Sequence, residues 1–316
     1  MKDFLIFDAH CDTITRLMEN NQSLFKNDCH VDLVRMKEYK GFVQMFAAWI
    51  SPDYSPYAAL KRCLQIIDAF YYHLEQNKEH ISLVRNAEEL KRVLASNRIA
   101  AFLSVEGGEA LQGDLGVLRM LYRLGVRSIC LTWNGRNEIG DGVGEECTNG
   151  GLTTFGRKVI GEMNRLGMLI DVSHLSERGF WDVVSLSSQP IIASHSNARK
   201  VCDHPRNLSD DQFNAIVKGG GVVGINLYPD FLSAKGYADI NDVIKHIEHF
   251  MSLGGENHIG LGLDFDGIDK TPRGFYGVKE ITILLDSLLK LNYSQEQVEK
   301  IASVNFLNLV DKVLKN

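Results

Sequence analysis

The feature that most limits the possible folds is a repeat of short apolar runs, each followed by a loop and a segment with helical periodicity. Continuous apolar runs are typical of strands buried on both faces of a parallel sheet, and the helices between them would form the crossovers. The last two helical segments are Gly277–Leu291 and Ser294–Lys315. The eight apolar runs are Phe4–Asp8, Phe42–Ile50, Ile99–Val105, Val126–Thr132, Met168–Val172, Pro190–Ala193, Gly221–Leu227 and His258–Leu263.

Eight such units predict an α/β fold, a (β/α)₈ TIM barrel, formed by a single domain over residues 1–316. The alternative is an open, doubly wound parallel sheet, which usually has fewer strands. Gly219, Gly221 and Gly224 match the spacing of a dinucleotide-binding motif, but they follow a helix and precede a strand. That motif requires the opposite order, so we interpret these glycines as a turn.

Composition limits the partners. The chain is 45% hydrophobic and 23% charged with a net charge of −6, and its acidic and basic residues are mixed, so no basic stripe for nucleic acid is predicted. No apolar run approaches the roughly 18 residues that a membrane span needs. The N-terminal segment lacks the pattern of a secretory signal, and six scattered cysteines without a CxxC pair are typical of reduced thiols. We expect a cytoplasmic protein that binds neither nucleic acid nor membrane.

Polar side chains follow five of the eight predicted strands. In TIM barrels the carboxyl ends of the strands form the active site, so these side chains are expected to lie together. The five segments are Asp8-Ala9-His10-Cys11-Asp12, Glu106-Gly107-Gly108-Glu109, Asp171-Val172-Ser173-His174, Ser194-His195-Ser196-Asn197 and Asp264-Phe265-Asp266-Gly267.

These segments predict a metal site. His10 and Asp12 are two residues apart, so in an extended strand their side chains leave the same face. His174 and His195 are separated by one β-α unit, which puts them on neighbouring strand ends. With Glu106 they exceed what one catalytic ion needs, and two ions about 3.5–4 Å apart would use them all.

Each of these residues alone has an ordinary structural explanation, such as a hydrogen bond at the barrel rim, a turn or a helix cap. Their shared position at one end of the barrel is what predicts metal. Among the other histidines, His204 is the one that we keep as a possible pocket residue.

At these residues the chain resembles the membrane (renal) dipeptidase family, binuclear zinc peptidases on an amidohydrolase-like barrel. The resemblance follows the order of the chain over nearly its whole length and includes Arg206-Asn207. It implies one zinc ion bound by His10 and Asp12, a second bound by His174 and His195, and Glu106 bridging them. It also implies that Asp264 handles protons and the free amine, that Arg206 holds the substrate carboxylate and that Tyr228 contacts the substrate.

The fourth predicted strand departs from that family. It reads Leu131-Thr132-Trp133-Asn134, where the renal enzymes carry a histidine that faces the substrate carbonyl. We expect Trp133 to shape a substrate side-chain subsite, while the metal, helped by Asn134 or Arg136, polarises the carbonyl. The structural alternative is that Trp133 caps the barrel core.

The predicted function is that of a zinc-dependent dipeptidase, which cleaves dipeptides, including those with a D-residue at the C-terminal position, by a metal-bridging hydroxide. The resemblance implies two Zn²⁺ per chain and a homodimer. Asp264 is the main candidate to accept the proton of the water, and Asp266 is the second.

Two alternatives remain at this point: another amidohydrolase-type hydrolase (deaminase, lactonase or phosphotriesterase) and a barrel that binds metal without catalysis. Many of the former bridge their metals with a carboxylated lysine on the fourth strand, and Val126–Thr132 contains no lysine. The carboxylates of Asp12, Glu106 and Asp264 argue against the latter.

Overall fold

The apolar runs form the strands of a closed parallel barrel in the computed structural model, which describes residues 2–54 and 56–314. All eight predicted runs correspond to barrel strands. The strands are β1 (Lys2–Cys11), β2 (Tyr39–Trp49), β3 (Ile81–Leu83), β4 (Ile99–Glu106), β5 (Val126–Cys130), β6 (Leu169–Asp171), β7 (Ile191–Ala193), β8 (Val222–Ile225) and β9 (Ile259–Leu261).

The barrel closes because β1 pairs with β9 on one side and with β2 on the other, while β2 pairs with β4. The remaining neighbours follow in chain order from β4 to β9. Strand β3 lies outside this ring. It pairs with the first residues of β4, which precede the residues of β4 that pair with β5. The sequence did not predict β3, since three residues are too few to show a pattern.

Helices cover the outside of the barrel, and none in the described part of the chain is long and apolar enough to cross a membrane. They are α1 (Thr13–Asn20), α2 (Leu33–Met36), α3 (Ala59–Gln76), α4 (Ala87–Ala95), α5 (Leu115–Arg123), α6 (Thr154–Leu166), α7 (Glu177–Leu186), α8 (Asp210–Lys218), α9 (Pro229–Leu232), α10 (Ile240–Ser252), α11 (Ile281–Lys290), α12 (Gln295–Glu299) and α13 (Asn305–Val313).

The predicted helical segment Ser294–Lys315 is divided by a π-helical turn at Lys300–Val304, and Lys315 lies outside the described residues. Short 3-10 turns occupy Pro52–Tyr54, Gly108–Leu111, Val143–Thr148, Gly255–Asn257 and Val278–Glu280.

Aromatic side chains fill the barrel interior on the side away from the polar strand ends. Phe306 of α13 stacks on Phe7 of β1 at 5.1 Å between ring centroids, and Phe102 of β4 lies 6.0 Å from Phe7. A Cβ at Gly260 of β9 would collide with the Phe306 ring, so the glycine makes room for it. Full burial of such a ring contributes about 1.5–3 kcal/mol. The polar side chains therefore lie at the other end of the barrel, at the carboxyl ends of the strands.

Candidate metal centre

The five side chains predicted as metal ligands lie together at the carboxyl end of the barrel, each at most 7% exposed. They form two overlapping groups with metal-ligand spacing, and Glu106 of β4 belongs to both. The first group is His10, Asp12 and Glu106, and the second is Glu106, His174 and His195.

The two oxygens of Glu106 face different groups. Its Oε2 lies 3.3 Å from His10 Nε2, whereas its Oε1 lies 3.0 Å from His174 Nε2 and 3.5 Å from His195 Nε2. A carboxylate in this position can contribute one oxygen to each of two cations.

Asp12 lies just past the end of the first strand, where the sequence predicted an extended conformation. Strand β1 ends at Cys11, and Asp12 is the residue before α1. Between Asp8 and Cys11 the pairing with β2 is irregular, three steps on β1 facing two on β2. Bulges of this kind re-aim side chains. His10 Nε2 and Asp12 Oδ2 are nonetheless 3.2 Å apart.

Left-handed backbone also shapes the site. His174 and Asp264 have φ values of 65° and 60°, a region that non-glycine residues rarely adopt and that is concentrated at functional sites. A Cβ on Gly267 would collide with the carboxylates of Asp12 and Asp264, so this glycine allows the two acids to approach each other.

The first group has a strong preference for positive charge. The carboxylates of Asp12, Glu106 and Asp264 all lie within 3.8 Å of His10 Nε2. Burial opposes a charge on His10, but the carboxylates of Glu106 and Asp12 outweigh burial and raise its pKa well above the usual value. Burial also opposes ionisation of Glu106, yet its imidazole neighbours hold its pKa well below the usual range. Asp12 Oδ1 is buried with no hydrogen-bond partner among the described residues.

The second group presents two neutral imidazoles. Burial lowers the pKa of His174 to about 4 and that of His195 well below its usual value. Their Nδ1 atoms face Asn134 Oδ1 and Ser194 Oγ, each at 2.7 Å, and their Nε2 atoms face each other at 2.8 Å. With the protons on Nδ1, two lone pairs point at one location, which suits a cation. The donor set therefore fits metal at both groups.

Two aspartates follow β9, and their surroundings differ. Asp264 accepts a hydrogen bond from Asn226 Nδ2 at 2.8 Å on Oδ2, and burial raises its pKa to about 7. Asp266 is occupied by structural bonds, since it accepts from the Thr13 hydroxyl at 2.6 Å and from the His30 backbone N–H at 2.7 Å. Of the two candidates for proton transfer, the geometry favours Asp264.

A cleft of about 460 Å³ opens above these groups and is large enough for a small ligand. Trp133 and Tyr228, both predicted to contact substrate, line it. Asn134 also lines it and holds His174, while Arg136 points to Asp141 in a bidentate ion pair and does not line the cleft.

Arg206 lies next to the metal centre and lines a much smaller cavity, which shares His174 with the main cleft. Its guanidinium donates to the His195 carbonyl at 3.1 Å and to Ser196 Oγ at 3.5 Å, and its Nε has no partner among the described residues. His204 lines neither cavity, and its Nδ1 accepts from the Arg206 backbone N–H at 3.1 Å.

Sequence reasoning missed several residues of the cleft. Trp49 ends β2 and meets Trp133 edge to face at 5.6 Å, and Phe231 of α9 lines the opposite side. Thr15 and Arg16 of α1 form a further wall. Trp49 could have been identified from the sequence, because it is an aromatic residue at the end of a predicted strand. The sequence contained no such signal for the cleft walls formed by α1 and α9, since both helices are short.

The chain is similar to known proteins over its whole length. A model of the membrane dipeptidase family, peptidase family M19, matches residues 1–316. An uncharacterized dipeptidase of Schizosaccharomyces pombe is 35% identical over 300 residues, which cover 90% of this chain and 72% of that protein. The structure of dipeptidase AC, a metallopeptidase of family M19, superposes with a TM-score of 0.90 at 29% identity over 98% of both chains. A Rhodobacter sphaeroides metallopeptidase bound to a phosphinate mimic of the dipeptide L-Ala-D-Ala gives 0.90 at 28% identity, covering 98% of this chain and 99% of that one.

Proposed function

Because the chain belongs to the membrane dipeptidase family, peptidase family M19, and is a metal-dependent dipeptidase, we propose that its metals are two zinc ions. His10 and Asp12 would hold one ion, His174 and His195 the other, and Glu106 would bridge them. This proposal rests on the observation that the two carboxylate oxygens of Glu106 face different groups of ligands. Imidazole and carboxylate are the ligands that zinc takes in open hydrolytic sites.

When bound, two such ions would lower the pKa of a bridging water and polarise the scissile carbonyl. The protein would supply the proton transfer. Asp264 lines the cleft, Asn226 fixes its Oδ2, and its Oδ1 lies 3.8 Å from His10 Nε2. A carboxylate placed close to the water can accept its proton, so Asp264 would take that proton and pass it to the leaving amine.

Arg206 would hold the carboxylate of the substrate. Its cation is buried and an N–H is free, which is costly unless an anion pairs with it. The planar guanidinium can donate two parallel hydrogen bonds to a carboxylate. Tyr228 and Trp133 would contact the rest of the dipeptide. Acceptance of a D-residue at the C-terminal position is supported by the L-Ala-D-Ala mimic bound to the Rhodobacter sphaeroides relative.

A homodimer and a cytoplasmic location also belong to the proposal. The family resemblance supports the dimer. All six cysteines are unpaired, which is typical of a reducing compartment.

The Arg206 assignment is tested by Arg206→Lys, which keeps the charge but loses the planar fork. The variant should retain its zinc and show a raised KM for free L-L and L-D dipeptides. The same dipeptides with an amidated C-terminus carry no carboxylate and should lose little. Steady-state kinetics on both sets provides the measurement. An equal loss on free and amidated substrates would make Arg206 a structural residue of the loop after β7.

A further inference from the structure

A chain of three buried side chains lies behind His195. Its Nδ1 is 2.7 Å from Ser194 Oγ, and the Ser194 hydroxyl in turn donates to Asp171 Oδ2 in a short hydrogen bond. The other oxygen of Asp171 accepts the backbone N–H groups of Ser173 and Ser194, both at 3.0 Å. Asp171, Ser194 and His195 are at most 3% exposed, so water does not compete for these bonds.

The direction of each hydrogen bond in this chain follows from the available protons. A carboxylate only accepts, and a hydroxyl has one proton, so Ser194 donates to Asp171 and must accept from His195. The proton of His195 is then on Nδ1. Its Nε2 keeps a lone pair, which faces Glu106 Oε1 at 3.5 Å and His174 Nε2 at 2.8 Å.

We propose that Asp171 and Ser194 are positioning residues, which fix His195 in the tautomer whose Nε2 is free to bind metal. This inference rests on the proposed function, in which His195 is a zinc ligand. A carboxylate partner on the far nitrogen is a general means of orienting metal-binding histidines. Here the hydroxyl of Ser194 transmits the effect. The second histidine is supported differently, because His174 Nδ1 meets the amide oxygen of Asn134 directly at 2.7 Å.

The critical variant is Asp171→Asn, which preserves shape and the oxygen that accepts two backbone N–H groups. Its NH₂ group would face Ser194 and can only donate, so the Ser194 hydroxyl turns its proton toward His195 Nδ1 at 2.7 Å, which is a closer acceptor than Ser173 Oγ at 3.4 Å. Nδ1 then becomes an acceptor, and the imidazole proton moves to Nε2, where it blocks metal. The substitution therefore reverses the chain of hydrogen bonds rather than removing it.

The experiment uses the full chain labelled with ¹⁵N-histidine, first loaded with zinc and then stripped with a chelator. After stripping, the wild type should keep a slowly exchanging Nδ1–H for His195, and Asp171→Asn should lose that signal. Competition with a chelator should show an affinity about 10–100-fold weaker for one of the two ions. Ser194→Ala, which removes the hydroxyl but forces no reversed proton, should show a smaller loss. This second variant keeps the test available if Asp171→Asn fails to fold.

Ser128→Ala is the matched control, because it removes a buried hydroxyl of β5 that makes no hydrogen bond to Asp171, Ser194 or His195. The Ser128 hydroxyl donates to the Leu169 carbonyl at 3.4 Å. This variant should keep both the Nδ1–H signal and the zinc affinity. The proposal fails if Asp171→Asn retains both properties, or if Ser128→Ala weakens zinc as much as Asp171→Asn does. A wild type without zinc at His195 would instead overturn the proposed function.

Discussion

At the scale of single residues, Trp133 stands where the family resemblance led us to expect a histidine. Its ring centroid lies 5.6 Å from that of Trp49 and 6.1 Å from that of His174. Trp49 ends β2 and Trp133 follows β5, so the pair flanks β4, the strand that carries Glu106. An indole has one N–H donor and cannot become cationic, so it does not replace an imidazole in function. Its contacts point to an apolar wall for a substrate side chain.

We therefore expect Trp133→Ala to change which dipeptides are preferred more than it changes turnover of the best one. The measurement is kcat/KM across a dipeptide panel, with zinc content and thermal stability checked in parallel. Loss of one oxyanion donor typically costs about 10²–10³ in kcat. A uniform loss of that size on every dipeptide would show that the indole N–H stabilises the oxyanion.

At the scale of helices and strands, the sequence predicts the barrel because its strands are buried on both faces and read as apolar runs. Because the carboxyl ends of the strands form the active site in TIM barrels, the polar residues at these strand ends are predicted to form one site. The short elements were not predictable in this way. Helix α1 has eight residues and α9 has four, and helices of that length form only through tertiary packing. The cleft walls that they supply, such as Thr15 and Phe231, were missed for this reason.

Helix α10 contacts two segments near the cleft, the loop after β7 and the end of α9. His246 of α10 is fully buried, its Nδ1 accepting the Ala198 N–H at 3.0 Å and its Nε2 donating to the Leu232 carbonyl at 3.1 Å. Ala198 follows β7, and Leu232 ends α9. Neutral His246 satisfies both contacts. Protonation would place an N–H against the Ala198 N–H, and burial lowers the pKa of His246 to about 4.

This contact predicts a pH-dependent stability. The pKa of His246 in the folded state lies below its unfolded value of about 6.5, so the unfolded chain binds more protons between these values. The contribution of neutral His246 to the free energy of unfolding is complete above about pH 6.5 and is lost as the pH falls toward 4. Between pH 7 and 5 the loss would be about 2 kcal/mol. Denaturant unfolding of the wild type and His246→Gln, which cannot titrate, should show a smaller pH dependence in the variant. Equal pH dependence would contradict the prediction.

At the scale of the whole molecule, the metal centre connects strands from around the entire ring. The proposed ligands and Asp264 come from the ends of β1, β4, β6, β7 and β9, which the closed barrel brings together at one end of the molecule. The sequence could predict which residues meet because the fold fixes the end of the barrel at which they lie. It could not predict that Arg206 lines a small cavity that shares His174 with the cleft, since packing of the loop after β7 decides that. The single-domain organisation over residues 1–316 stays a prediction.

The most direct test of the account is the metal content of the wild type beside that of Glu106→Gln and His174→Ala. Elemental analysis of protein purified without chelator should find close to two zinc ions per wild-type chain, and chelation should abolish dipeptide hydrolysis. Glutamine carries no negative charge and offers one oxygen and an NH₂ group that cannot bind a cation, so both sites should weaken together in Glu106→Gln, whereas His174→Ala should mainly empty one site. Two zinc ions and wild-type turnover in Glu106→Gln, or full wild-type activity in EDTA with no bound metal, would contradict the account.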